Sequence, residues 1–194
     1  ILNNACQTVR RPAGFYQHLM AAERDIAALP ELSRRALAAY QTLSLGQVDG
    51  AALSLRSGLA DPVALSQVAL LEEDRRRSEH LFPEGRLDAD LQQVDLRDRN
   101  SWRLTLDEVS AVELLEVQLV NSVAPFILNA RLREVMRRVP SHDKHIVNVS
   151  AMEGQFYRRF KTDKHPHTNM AKAALNMMTR TSAVDYAQDG IYMN

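Results

Sequence analysis

The sequence predicts an α/β fold, a doubly wound parallel sheet carrying a long inserted helical segment, and three observations support it. Short β-rich apolar runs stand at the two ends, "ILNNA" and "IYMN", and at His145–Ser150, "HIVNVS"; a run this short and apolar reads as a buried parallel strand. Long helical patterns separate the last two strands and precede the middle one, which is the alternation of a βαβ chain. Between the first strand and that alternation lies a stretch of about ninety residues with helical and charged patterns and no strand signal.

In that stretch, Phe15, Leu19, Ala22 and Ile26 recur at helical spacing and predict a helix over Gly14–Leu29, which Pro30 ends. A second amphipathic helix is expected over Glu31–Leu43, and a weaker one over Asp49–Gly58. Asp61-Pro62 is a helix start, with Asp supplying the cap oxygen and Pro fitting the first helical position. From Glu72 to Trp102 charge dominates, with Pro83 and Gly85 in the middle, and no stable buried element is expected.

Thr105 and Glu108 form a capping box ahead of an apolar run. Val109, Val112, Leu115 and Leu119 are expected to line the buried face of a long helix that Pro125 kinks and that ends near Val139. After the strand at His145–Ser150 a polar loop runs from Glu153 to Pro166. A helix over His167–Ala187 then carries Ala171, Ala174, Leu175 and Met178 on one face, and Gly190 stops it.

Composition bounds the function. At 194 residues, 45% hydrophobic and 25% charged, the chain can bury a real core. Lys plus Arg and Asp plus Glu both number 24, and a zero net charge argues against a general nucleic-acid binder. The single Cys6 cannot close an internal disulfide. No apolar run approaches the roughly 20 residues of a membrane span, and no signal peptide opens the chain. A cytoplasmic protein with no membrane partner is the expectation. The opening without Met and the close on "DGIYMN" read as cuts within a longer protein.

Four pieces in order resemble the short-chain dehydrogenases/reductases, the one-domain Rossmann-type NAD(P)-dependent oxidoreductases. "ILNNAC" is similar to their Asn-Asn-Ala-Gly strand end, with Cys6 at the glycine. "LVNSVAPFIL" resembles the helix segment bearing an active-site asparagine, here Asn121. "HIVNVSAMEG" resembles the strand that delivers the catalytic serine, and "HTNMAKAAL" the helix bearing Tyr-x-x-x-Lys, with Lys172 at the lysine. The resemblance implies a partial Rossmann-like core from residues 1–13 and 104–194 and a helical insertion over 14–103. It implies hydride transfer on a small-molecule carbonyl or alcohol substrate in the intact parent. Asn3, Asn4, Ala5 and Lys172 would then contact NAD(P), with Lys172 on the nicotinamide ribose and Asn121 holding a water beside it. A homo-oligomer is implied too, because the long helices around Val109–Val139 and His167–Ala187 match those that pair subunits.

Three departures stand against this. The glycines at 14, 46, 50, 58, 85, 154 and 190 build no phosphate loop, so this segment alone is not expected to hold the cofactor. The catalytic-serine position falls on Ala151, with Ser150 beside it; adjacent residues on a strand point to opposite sides. Thr168 stands where the tyrosine would, and an aliphatic hydroxyl is too weak an acid and too short to replace a phenol. His165, His167 and Tyr157 are candidate substitute acids, weighed against plain capping or packing roles. His142, His145, His165 and His167 lack the defined spacing of a metal site, and no metal is expected. An oxidoreductase with a rewired acid and a non-catalytic nucleotide-binding or scaffold module both remain open.

Overall fold

The computed structural model describes residues 1–4, 9–44, 62–75, 80–89 and 91–194. The chain divides into two compact units, one of Ile1–Arg10 with Asp98–Asn194 and one of Arg11–Arg97.

The first unit is α/β. Its sheet has three strands, β1 (Leu2–Asn3), β2 (Lys144–Asn148) and β3 (Ile191–Met193), in the order β1-β2-β3 and all parallel. Asn3 pairs with Asn148, and Ile146 with Met193. Three helices accompany the strands: α4 (Ala111–Gln118), α5 (Ala124–Arg137) and α6 (Pro166–Ala187), numbered after three helices of the other unit. Ile146, Ile191, Met193 and Tyr186 form the core, with Ile1, Met136 and Ala183 packed on it. Gly190 ends α6 at φ +65°, a conformation that favours glycine, and a side chain there would meet His142.

β2 was expected to be buried on both faces. Ile146 and Asn148 are buried, but His145 and Val147 are exposed. The alternation is that of a strand covered on one side.

The helix before β2 differs from expectation more. The box at Thr105–Glu108 forms, with Glu108 accepting from the Thr105 N–H at 2.9 Å, but it closes a turn. The helix starts after Ser110, whose hydroxyl accepts from the Glu113 N–H at 3.1 Å. Half of the expected apolar face is turned outward: Leu115 and Leu119 are 61% and 55% exposed, while Val109 and Val112 are half-buried. Glu113, Val117, Asn121, Pro125 and Asn129, four apart along the chain, are buried instead. Periodicity located the helix, but the residues it packs inward are mostly polar.

α4 and α5 are one rod joined by a π-helical turn, Leu119–Val123, in which the Ala124 N–H reaches back to the Leu119 carbonyl. Pro125 supplies the cause. It has no N–H for the Asn121 carbonyl four residues before it, and its ring crowds that carbonyl, so the helix widens by one residue. The rod Ala111–Arg137 is, by length and composition, long and apolar enough to cross a membrane, which corrects the expectation that no run approaches that length.

In the second unit, the helix expected over Gly14–Leu29 is broken into a 3-10 turn (Ala13–Leu19), α1 (Met20–Arg24) and a further turn at Ile26–Ala28. Asp25 breaks it: its side chain accepts from the Ala28 N–H and starts a new turn. α2 runs Glu31–Ser44 and α3 Pro62–Leu65; the expected piece at Asp49–Gly58 lies outside the described residues. The charged stretch holds a 3-10 turn at Glu72–Arg75. There buried Asp74 accepts from the Leu70 and Leu71 N–H groups, both at 2.9 Å.

Candidate functional site

β1 and β2 end side by side, and their last residues carry amides. Asn3 donates to Asn129 at 2.9 Å and to Asn148 at 2.7 Å; Asn129 donates to Asn148 at 3.3 Å, and Asn148 to the Thr179 hydroxyl at 2.9 Å. These buried groups tie two strands to α5 and α6. Both amide hydrogens of Asn3 are thereby engaged. Asn4 is exposed, and Ala5 lies outside the described residues, as does Cys6. Asn129 and Asn148 were not singled out in the sequence, where an Asn in a helix or strand reads as a surface residue.

Beyond Asn148 the chain continues through Val149 and Ser150 to Ala151, extended at φ −146°, which caps a 3-10 turn at Met152–Gly154. Gly154 presses on α6: a Cβ there would sit 2.8 Å from the Lys172 carbonyl carbon. Ser150 turns its hydroxyl toward α6, 3.4 Å from the Lys172 carbonyl oxygen. That is a long, weak contact with backbone.

α6 brings Thr168 and Lys172 inward on adjacent turns, 3% and 2% exposed. The Lys172 ammonium donates to the Val149 carbonyl at 3.0 Å. No carboxylate among the described residues pairs with it, so a buried cation is held by one backbone oxygen. The Thr168 hydroxyl has no hydrogen-bond partner among the described residues. The π-helical turn bearing Asn121 packs against α6. Asn121 is fully buried and donates to the Val117 carbonyl at 2.9 Å. A π-turn costs regular hydrogen bonding and is found often at functional positions.

His167 lies one residue before Thr168 and is 2% exposed. Its Nε2 is 3.4 Å from Oε1 of Glu113 on α4, within ion-pair range but longer than a good hydrogen bond. Burial alone would push the Glu113 carboxyl up, but the adjacent His167 ring, the Ser101 hydroxyl and the charge of Arg10 hold it below its ordinary value. Glu113 carried no signal in the sequence beyond a first-turn helix acid. His165 caps α6 in the left-handed region at φ +42°, its ring edge-on to Trp102 at 4.6 Å. Burial holds its imidazole below the ordinary value. Tyr157, the third candidate acid, is fully exposed. Among the described residues no group of three or more His, Cys, Asp or Glu side chains is placed to hold a metal ion.

No family model matches the chain. Over 90 residues, 46% of its length, the chain is 39% identical to an uncharacterized protein of Acanthamoeba polyphaga mimivirus, and it spans 19% of that protein. Among solved structures, a protein from Burkholderia multivorans named as a short-chain dehydrogenase/reductase, with NADP bound, is similar at 25% identity. That likeness covers 47% of this chain and 38% of the other, with a TM-score of 0.41. So partial a likeness carries no argument about this chain.

Proposed function

We propose that the chain is the site-bearing part of a short-chain dehydrogenase/reductase-type NAD(P)-binding protein that acts on a small carbonyl or alcohol in its intact form and lacks the usual phenolic acid. The observation that carries this reading is Lys172, a buried ammonium with one backbone acceptor and no acidic partner among the described residues. Two of its three donors remain for a ligand, which suits ribose hydroxyls. The pyrophosphate end of a dinucleotide has no glycine-rich cradle in this sequence. With Lys172 2% exposed, a ribose reaches the ammonium only once the chain around it opens.

Bound NAD(P) supplies the hydride. The chain's own residues hold the ribose through Lys172, set Lys172 by the Val149 carbonyl, and position Asn121 through the π-turn. The proton is the missing part. Ala151 has no hydroxyl, the Ser150 hydroxyl is turned to the backbone of α6, and Thr168 is aliphatic. His167 is buried, its Nε2 3.4 Å from Glu113, so a role for it as acid requires a water to carry the proton outward.

A specific observation favours a second reading, a non-catalytic nucleotide-binding or scaffold module: neither residue at the matched serine and tyrosine positions can act as a phenolic acid or its partner. A titration of NADPH fluorescence against the complete protein tests the proposal. Binding that Lys172→Met weakens at least about tenfold supports it. No binding by a folded wild type, or equal binding by the variant, removes it.

A further inference from the structure

The loop from Gln155 to Lys164, ahead of α6, holds three aromatic side chains in solvent. Phe156, Tyr157 and Phe160 are 78%, 101% and 78% exposed. Three aromatic rings in solvent within five residues forgo burial that any inward turn would give. Cations interleave with them: Arg158, Arg159 and Lys161. Glu153 anchors the loop at its base, its carboxylate 2.6 Å from Arg158 and its carbonyl accepting from Lys161. The Arg159 guanidinium stands 5.5 Å over the Phe160 ring. Phe156 and Tyr157 also share the wall of an open cavity of about 220 Å³ with Met177 of α6, itself 55% exposed. The rings therefore continue onto an apolar patch with positive charge around it.

We propose that this loop docks the protein on an anionic phospholipid surface. The rings of Phe156, Tyr157 and Phe160 enter the headgroup–acyl boundary while Arg158, Arg159 and Lys161 meet the lipid phosphates. Single-stranded nucleic acid also takes aromatic and basic side chains, but it needs a track of cations along its backbone. Here the cations stand in one short loop, and the whole chain has no net charge. A lipid surface needs only a few cations near it, because ring burial supplies the rest. The Met177 thioether beside the rings offers nothing to a phosphate or a base edge and suits acyl chain. The expectation of no membrane partner rested on spanning runs and signal peptides, and surface docking requires neither.

Cosedimentation of the chain with vesicles of phosphatidylcholine, alone or mixed with phosphatidylserine, tests this. The wild type is expected to sediment with the phosphatidylserine vesicles and to be released as salt rises. Phe156→Ser with Phe160→Ser lowers the apparent affinity at least about tenfold, and Arg159→Gln with Lys161→Gln removes the preference for phosphatidylserine. Circular dichroism and melting of all variants stay at wild type, because the replaced side chains are exposed. Wild type that binds neither vesicle overturns the proposal, as do serine variants that bind like wild type. Binding of an oligo(dT) probe that the same serine changes abolish, with no vesicle binding, assigns the loop to nucleic acid instead.

Discussion

Glu113 on α4 and His167 on α6 face each other 3.4 Å apart, 4% and 2% exposed. They join the first turns of the two helices that carry Asn121 and Lys172. The pair makes His167 a fixed part of the packing, with a carboxylate in attendance rather than a free imidazole in a cleft.

Because the Glu113 carboxyl is held below its ordinary value, it contributes stability that is present above that value, 4.5, and is lost as pH falls through the lower folded value. Glu113→Gln is expected to cost about 1–3 kcal/mol near neutral pH. The gap from wild type should close at acid pH. Urea unfolding of both proteins across pH 3–7, a range of about four units, checks the sign. A gap that widens on acidification contradicts it.

Gly154 meets α6 so closely that a methyl group there lies 2.8 and 2.9 Å from the Lys172 carbonyl carbon and oxygen. Backbone cannot swing aside as a side chain can. Gly154→Ala is therefore expected to lower stability by about 1–3 kcal/mol, visible as a lower Tm. An unchanged Tm would mean that the turn at Met152–Gly154 does not rest on α6.

The amides of Asn3, Asn129 and Asn148 satisfy one another at the strand ends. Asn129→Ala leaves buried polar groups without a partner and should cost about 2–3 kcal/mol. In Asn3→Ala/Asn129→Ala, the two losses should sum to less than the separate effects. Strict additivity in the double-mutant cycle would show the cluster is not coupled.

The strands and the helix at α6 were legible in the sequence because short apolar runs and a glycine stop mark them from within. The register of α4 was not. Along the rod Ala111–Arg137 that α4 begins, the inward residues are Glu113, Asn121, Pro125 and Asn129 around Val117, and a rule that puts apolar side chains inside picks the wrong face when the interior is built from paired polar groups. The helix start was missed by five residues for a similar reason: Thr105–Glu108 and Ser110–Glu113 carry the same capping spacing, and only packing chooses between them. Lys172, Thr168 and Asn121 were located by the resemblance, while Glu113 emerged only from its contact with His167.

The proposed site keeps a lysine at 172 and lacks both the phenol and the serine hydroxyl, with Thr168 and Ala151 in their places. The most direct test is NADPH-dependent reduction of a panel of simple ketones and aldehydes by the complete protein carrying Thr168→Tyr with Ala151→Ser, its folding checked by circular dichroism. Restoring a phenol one turn from Lys172 should raise the rate over wild type by about 10²–10⁴. A wild type that already matches the folded variant would contradict the account, and so would a folded variant that binds NADPH and gains nothing.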